Sequence, residues 1–303
     1  MLSVLIPIYN WDVTNLIKEL HEQLSDSGVA FEIIAADDAS EESYHQQNQS
    51  IASRQGVTYI RYVENLGRSK LRNSLAQQAQ YPCLLFMDCD AAIKTPSFIA
   101  NYIALIRKEE NTPFVALGGV AYRETPPPSS QKLRWHYGKQ REEISAHTRQ
   151  QQPYKSFTPF NLLVARSIFS TITFDESLTT YGNEDTLFGF ELKQHQIKII
   201  HIDNPLYHEG LDENEVYLKK IETAIDNLIR ITQQSTLDRT FIADNTLLTT
   251  YHHCKQKRVL PLVKFFYILT HPILKWGICK RYNLLFLDFY KLGYLAREKR
   301  ILR

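Results

Sequence analysis

An α/β fold, with a doubly wound, mostly parallel sheet and a helical C-terminal extension, is what this 303-residue sequence predicts. Three observations carry that reading. Short apolar runs of strand length alternate with segments of helical period, joined by short connections, which is the pattern of a parallel sheet wound with helices. One run, Cys83-Leu84-Leu85-Phe86-Met87, is apolar without alternation, as expected of a strand covered on both faces. It stops abruptly in Asp88-Cys89-Asp90, which puts two carboxylates at a strand's carboxyl end, where open α/β sheets bind ligands.

The elements follow in order. Residues 2–8 form an apolar strand stopped by Pro7 and Asn10. Asp12 is a fitting N-cap for a helix to about residue 25, with Val13, Leu16, Ile17, Leu20 and Leu24 on one face. Strands are predicted at 31–36 and 57–63, a helix at 67–79, and the central strand at 83–87. Beyond it come a helix at 96–108, a strand at 114–122 containing Gly118-Gly119, and a loop at 126–130 with three prolines. A polar amphipathic helix is expected over 132–149, a strand over 160–165, a helix over 184–195, a strand over 197–202, and a helix from 213 to about 233. There is no GxGxxG and no GxxxxGK[ST], which excludes the usual dinucleotide and P-loop fingerprints.

Composition is that of an ordinary globular chain, 44% hydrophobic and 22% charged. The four cysteines form no CxxC pair and no zinc spacing, so they read as reduced thiols of a cytoplasmic protein. The N-terminus lacks the basic and apolar regions of a signal peptide, and no transmembrane helix is expected. The net charge of +2 conceals an asymmetry: residues 251–303 hold 12 Lys/Arg against 2 Asp/Glu, a net of +10, leaving −8 on the remainder. We divide the chain at 1–212 and 213–303, the second part being a helical, basic and aromatic extension. Such a segment reads either as lying on an anionic membrane surface or as packing on its own domain or a partner subunit. The acidic body and the lack of a recognised module argue against nucleic acid.

The carboxylates Asp88 and Asp90 repel one another unless a cation lies nearby. Oxygen donors favour Mg²⁺ or Mn²⁺, ions that commonly bridge to substrate phosphates. A strand running into an acidic loop is the plainer alternative. Asp37-Asp38 ends the second strand, and turn chemistry could account for it. Arg68 and Arg72 lie four apart near a helix start, an arrangement that suits an anion. Glu184-Asp185 opens a helix, where acids are favoured by the dipole alone.

Taken together, Val4-Leu5-Ile6-Pro7-Ile8-Tyr9-Asn10, Asp37-Asp38-Ala39-Ser40, Asn65-Leu66-Gly67-Arg68-Ser69-Lys70-Leu71-Arg72-Asn73, Asp88-Cys89-Asp90 and Tyr181-Gly182-Asn183-Glu184-Asp185 resemble, in order and spacing, the motifs of family 2 glycosyltransferases of the GT-A fold. The resemblance spans roughly residues 1–210. Ala39 departs from the glycine usual in the second motif, and Leu71 from the alanine often found in the third. The resemblance implies an inverting, metal-dependent hexosyltransferase of bacterial polysaccharide or cell-envelope synthesis. It would move a sugar from a nucleotide donor, most often a UDP-sugar, to a glycan or lipid-linked hydroxyl.

It further implies roles for single residues. Pro7, Tyr9, Asp37, Asp38, Arg68, Arg72 and Asp88 would hold the donor, with Asp38 on the base and the arginines on base and diphosphate. Asp88, Asp90 and His208 would hold Mn²⁺ or Mg²⁺. Asp185 would be the general base, Glu184 would orient the acceptor, and Asn161 and Trp135 would line the acceptor pocket. Two rivals are a haloacid dehalogenase-type phosphatase, which also ends a strand in Asp-x-Asp, and a nucleotide-sugar binder without turnover. The first wants a Thr shortly after the pair, and none precedes Thr95.

Overall fold

The computed structural model describes residues 1–109, 112–155, 157–233 and 239–298. The first strands and helices alternate as expected: β1 (Leu2–Ile8), α1 (Thr14–Asp26), β2 (Phe31–Asp37), α2 (Glu42–Asn48), β3 (Val57–Arg61), α3 (Arg68–Gln78) and β4 (Cys83–Met87). Then come β5 (Ala91–Ile93), α4 (Phe98–Lys108), β6 (Val115–Leu117), β7 (Val120–Ala121), α5 (Lys132–Arg141), α6 (Ala146–Gln150) and β8 (Asn161–Ala165). The chain continues through α7 (Arg166–Phe169), α8 (Glu184–Gln194), β9 (Ile199–His201) and β10 (Leu206–His208). Five helices close it: α9 (Asn214–Thr232), α10 (Arg239–Asp244), α11 (Thr246–Gln256), α12 (Leu260–Arg281) and α13 (Leu284–Arg297).

The chain divides into two compact units. The first comprises Met1–Tyr122, Glu142–Thr179 and Glu184–Gly210. The second comprises Arg123–Arg141, Thr180–Asn183 and Leu211–Arg303. Residues 299–303, which supply part of the basic excess of the tail, lie outside the described residues.

In the first unit a seven-stranded sheet runs β3-β2-β1-β4-β8-β6-β9. The β1–β2, β2–β3, β1–β4 and β6–β9 pairs are parallel, and β8 runs antiparallel between β4 and β6. Strand order reverses between β1 and β4, the switch point at which such sheets bind ligands. The ends of β2, β1 and β4 carry Asp37-Asp38, Pro7-Ile8-Tyr9 and Asp88-Cys89-Asp90, so three sequence motifs meet there. Beneath them Phe86, Phe169, Phe174 and Phe188 pack on one another, with Phe174 and Phe188 stacked at 4.4 Å. This aromatic cluster anchors α8, and with it Glu184 and Asp185, to the strand that ends in Asp88.

The structure corrects three predicted elements. The strand expected over 114–122 is two strands in different sheets, broken at Gly118-Gly119. Gly119 has φ +92°, and a Cβ on Gly118 would land on the Asn161 side chain, so both positions require glycine. The helix expected over 132–149 is two helices, α5 and α6, the second begun by Ser145, whose Oγ accepts the Thr148 N–H. Asp12 does not cap α1 from the N-cap position, which Val13 occupies, but its Oδ1 accepts the Thr14 N–H at 2.9 Å.

A second sheet of the same unit runs β5-β10-β7. Its antiparallel register pairs His208 with Ala91, one residue beyond Asp90. That pairing brings the two side chains together.

In the second unit, α5 and α9 are joined by Asn214, whose Oδ1 accepts the Leu133 N–H at 2.9 Å, and by Arg134 over the Tyr217 ring. Helices α12 and α13 approach closely where Gly277 meets Phe286 and Gly293 meets Tyr267. The Tyr290 hydroxyl donates to Glu222 at 2.5 Å, tying α13 to α9.

Candidate active site

Asp37 and Asp38 end β2 buried, and each is held differently. Asp37 accepts the Ser40 N–H through Oδ1 and the Tyr59 hydroxyl through Oδ2, at 2.7 and 2.5 Å. Asp38 accepts the N–H groups of Leu66 and Gly67 at 2.6 and 3.1 Å, which fastens the loop leading into α3. Burial pushes the Asp38 carboxyl above its usual range, against the pull of those two N–H groups. Ala39 follows with φ +62°, in the left-handed region where the related motif has glycine. The turn is imposed on it by the Asp37–Ser40 bond and by Ser40 Oγ, which accepts the Asn10 N–H at 2.8 Å. Pro7 is half-buried at the end of β1, and Tyr9 beyond it is exposed.

Arg72 is the hub. It is 2% exposed, projects from α3 over the Phe174 ring, and donates to Asp88 Oδ1 at 2.7 Å. Its other terminal nitrogen lies 3.5 Å from Glu184 Oε1, and Arg68 approaches the same oxygen at 3.7 Å. One buried guanidinium therefore joins the carboxylate at the end of β4 to the carboxylate that opens α8. Burial works to raise the Asp88 carboxyl, but the charges of Arg72 and Arg68 and the Arg72 hydrogen bond outweigh it and hold Asp88 below its usual value.

Asp185 is set the opposite way. Burial and the adjacent Glu184 charge push its carboxyl up to about 7, against the Thr186 N–H that Oδ1 accepts at 2.7 Å and the charge of Arg72. In sequence only the helix start and the adjacent Glu184 are visible for this group. The structure adds burial, and burial is the largest.

Asp90 and His208 face each other, Oδ2 to Nε2 3.6 Å, both partly exposed. The imidazole packs against the Tyr122 and Phe160 rings. A Cβ on Gly210 would fall on the Asp90 carboxylate, so glycine there makes room for it. The separation is too long for a hydrogen bond, and an oxygen and a nitrogen so placed can both reach one Mg²⁺ or Mn²⁺. Asp88, expected as a third ligand, gives Oδ1 to Arg72, and among the described residues no group of three His, Cys, Asp or Glu side chains converges. The residues fit a divalent ion as a two-donor site, the remaining positions falling to water or substrate oxygens.

Asn161 and Trp135, expected at the acceptor pocket, each make contacts within their own unit. Asn161 is 1% exposed; its carbonyl accepts from Tyr102, and its amide donates to the Gly119 and Asn204 carbonyls. It is a packing node where β8 meets the Gly118-Gly119 break, with both amide N–H groups donated to backbone carbonyls. Trp135 lies on α5 in the second unit, its indole N–H donated to the Arg123 carbonyl at 2.9 Å. Sequence reasoning missed Tyr59, Phe174 and Gly210. Gly210 carried a legible signal, a glycine two residues after the singled-out His208; the other two are ordinary core aromatics in sequence.

The sequence model of Glycosyl transferase family 2 matches residues 3–172, more than half the chain. The chain belongs to this family of glycosyltransferases. Its fold is similar to S. aureus TarS 1–349 in complex with UDP-GlcNAc, with 17% identity, 99% of this chain and 89% of that one covered, and a TM-score of 0.53. It is similar to the mannosyltransferase PcManGT from Pyrobaculum calidifontis in complex with GDP-Man and Mn²⁺, at 12% identity, 98% and 88% coverage and a TM-score of 0.58. Mycobacterium tuberculosis glucosyl-3-phosphoglycerate synthase, in complex with Mn²⁺, UDP and glucosyl-3-phosphoglycerate, matches at 14% identity, 78% and 81% coverage and a TM-score of 0.50. No curated protein sequence matches. These findings place the fold in the GT-A class and disfavour the phosphatase. Asp88, its required nucleophile, is engaged by Arg72, and β4 is the fourth strand rather than the first.

Proposed function

We propose that this glycosyltransferase moves a hexose-type sugar from a UDP-sugar to a hydroxyl of a glycan or lipid-linked acceptor, with inversion at the anomeric carbon. The observation that carries the proposal is the single buried Arg72 between Asp88 and Glu184, because it sets a donor-side and an acceptor-side carboxylate at one fixed centre. The Asp185 carboxyl, pushed up to about 7 by burial and Glu184, supports its role as base, since such a group both holds and releases a proton at neutral pH.

In this reading, the exposed Tyr9 ring and the half-buried Pro7 wall the slot for the base. Asp38 fixes the Leu66-Gly67 edge of that slot and keeps lone-pair sites for a pyrimidine N–H, while Asp37 braces the turn beside it. Arg68, half exposed at the start of α3, meets the diphosphate. Asp90 and His208, with Asp88 behind them, would hold Mn²⁺ or Mg²⁺, which as a Lewis acid offsets the charge developing on the leaving diphosphate. Asp185 takes the proton from the acceptor hydroxyl as its oxygen bonds to the anomeric carbon. The bond from that carbon to the phosphate oxygen breaks, and the nucleoside diphosphate leaves with the electron pair. Glu184, held by Arg72 and Arg68, orients the acceptor and keeps the Asp185 carboxyl raised.

A role in polysaccharide or cell-envelope assembly and a location on the inner face of the membrane belong to the same proposal. The test is UDP release from a panel of UDP-sugars with Mn²⁺, Mg²⁺ or EDTA, followed by NMR of the glycoside formed. Turnover that is metal-dependent with an inverted product supports the proposal. Full turnover in saturating EDTA, or retained configuration, overturns it.

A further inference from the structure

Helix α12, the longest among the described residues, carries an apolar stripe on the outside. Leu262, Phe265, Leu269, Ile273 and Trp276 recur at steps of three and four and are each 55–63% exposed, a continuous row along one face of a 22-residue helix. The opposite face, with Tyr267, Leu274 and Ile278, is buried, and Gly277 lies against Phe286 of α13. The stripe is therefore surplus to the helix's packing in the fold. A contiguous apolar surface of this kind marks an interaction site.

Charge selects the partner. Between Asp244 and Asp288 the sequence holds no Asp or Glu but seven Lys/Arg: Lys255, Lys257, Arg258, Lys264, Lys275, Lys280 and Arg281. Three precede the first turn of α12, two close its last turn, and Arg281 lies over the Trp276 ring at 5.6 Å. Cations at both ends of an apolar stripe, with an aromatic beside one of them, match the headgroup and acyl layers of an anionic bilayer. A second copy of the chain is disfavoured, because a two-fold contact would bring this cation set against itself. Crossing the bilayer is also excluded for this helix, since no described helix is long and apolar enough.

We propose that α12 lies flat in an anionic phospholipid interface, with Phe265, Leu269 and Ile273 entering the acyl boundary and the flanking lysines and arginines meeting lipid phosphates. The proposal rests on the lipid-linked acceptor and inner-face location proposed above and deepens that reading by naming the surface and the lipid class.

Flotation of the full chain with phosphatidylcholine–phosphatidylglycerol vesicles tests it, against phosphatidylcholine alone. Binding only to the anionic vesicles, weakened by salt, is expected. The variant Phe265→Ser with Leu269→Ser and Ile273→Ser changes exposed positions only; it should keep its melting temperature and lose roughly tenfold or more in bound fraction. Lys257→Glu with Arg258→Glu should shift binding in the same direction. Absence of flotation, equal flotation of the triple variant, or a dimer that the triple variant dissolves would each overturn the proposal. UDP release from a soluble UDP-sugar, measured in parallel, reports on the transferase reading independently, so either can fail alone.

Discussion

Asp185 is where the chemistry is most sharply defined. Its carboxyl is raised to about 7 by burial and by Glu184; the proposed role as base requires the deprotonated form, so kcat/KM should fall about tenfold per pH unit below that value. The same shift has a consequence for stability. Below the ordinary value of 3.8 the group is protonated in folded and unfolded chains alike, and its contribution is fully present. As pH rises through 7 the folded chain must accept a charge it disfavours, and that contribution is lost. Asp185→Asn should therefore raise the melting temperature by several degrees at pH 8 and leave it nearly unchanged near pH 4, as calorimetry would measure. Ala39 offers a second test at this scale. With φ +62°, its left-handed conformation costs a non-glycine residue about 1 kcal/mol or more, so Ala39→Gly should stabilise the chain by roughly 0.5–1 kcal/mol in urea unfolding. The sequence showed the departure from glycine but not its backbone consequence.

At the scale of elements, the site depends on α3 and α8 being clamped to the end of β4 by Arg72. Replacing Arg72 with Met would leave the Asp88 and Glu184 carboxylates without their buried cation, a loss of about 3–5 kcal/mol. Denaturant titration would register that directly, and UDP release should fall with it. At the neighbouring pair, Gly210→Ala would press on the Asp90 carboxylate and should lower turnover and apparent metal affinity while the fold survives. Circular dichroism and Mn²⁺ titration separate those effects. The elements themselves were largely legible. The run ending in Asp88 reads as a buried strand because it has no polar alternation, and it is β4. The 114–122 segment misled because an apolar run looks the same in one strand or two; only Gly118-Gly119 signalled the break, and its cause, the crowding by Asn161, is a tertiary contact. The backbone bonds of Asn161 were equally illegible, since an amide suits a sugar hydroxyl and a buried backbone carbonyl equally well.

For the whole molecule, the order of motifs along the chain predicted which ones converge, because a doubly wound sheet brings the ends of β2, β1 and β4 side by side. What one sequence could not supply is the pairing of Arg72 with Glu184, set by packing on the Phe86–Phe174–Phe188 cluster rather than by spacing. The charge asymmetry was legible as a basic C-terminal segment; which face of α12 stays exposed needed the α12–α13 packing. At this scale, removing divalent ions should abolish UDP release, and Mn²⁺ should restore it better than Mg²⁺ because imidazole suits Mn²⁺.

The most direct test of the central claim, that Asp185 takes the acceptor's proton at a site built around Arg72, is to measure UDP binding and UDP-sugar turnover side by side in Asp185→Asn. The account predicts UDP affinity within a fewfold of the parent chain and turnover reduced by about 10²–10⁴. Turnover close to that of the parent, with UDP still bound, would contradict it.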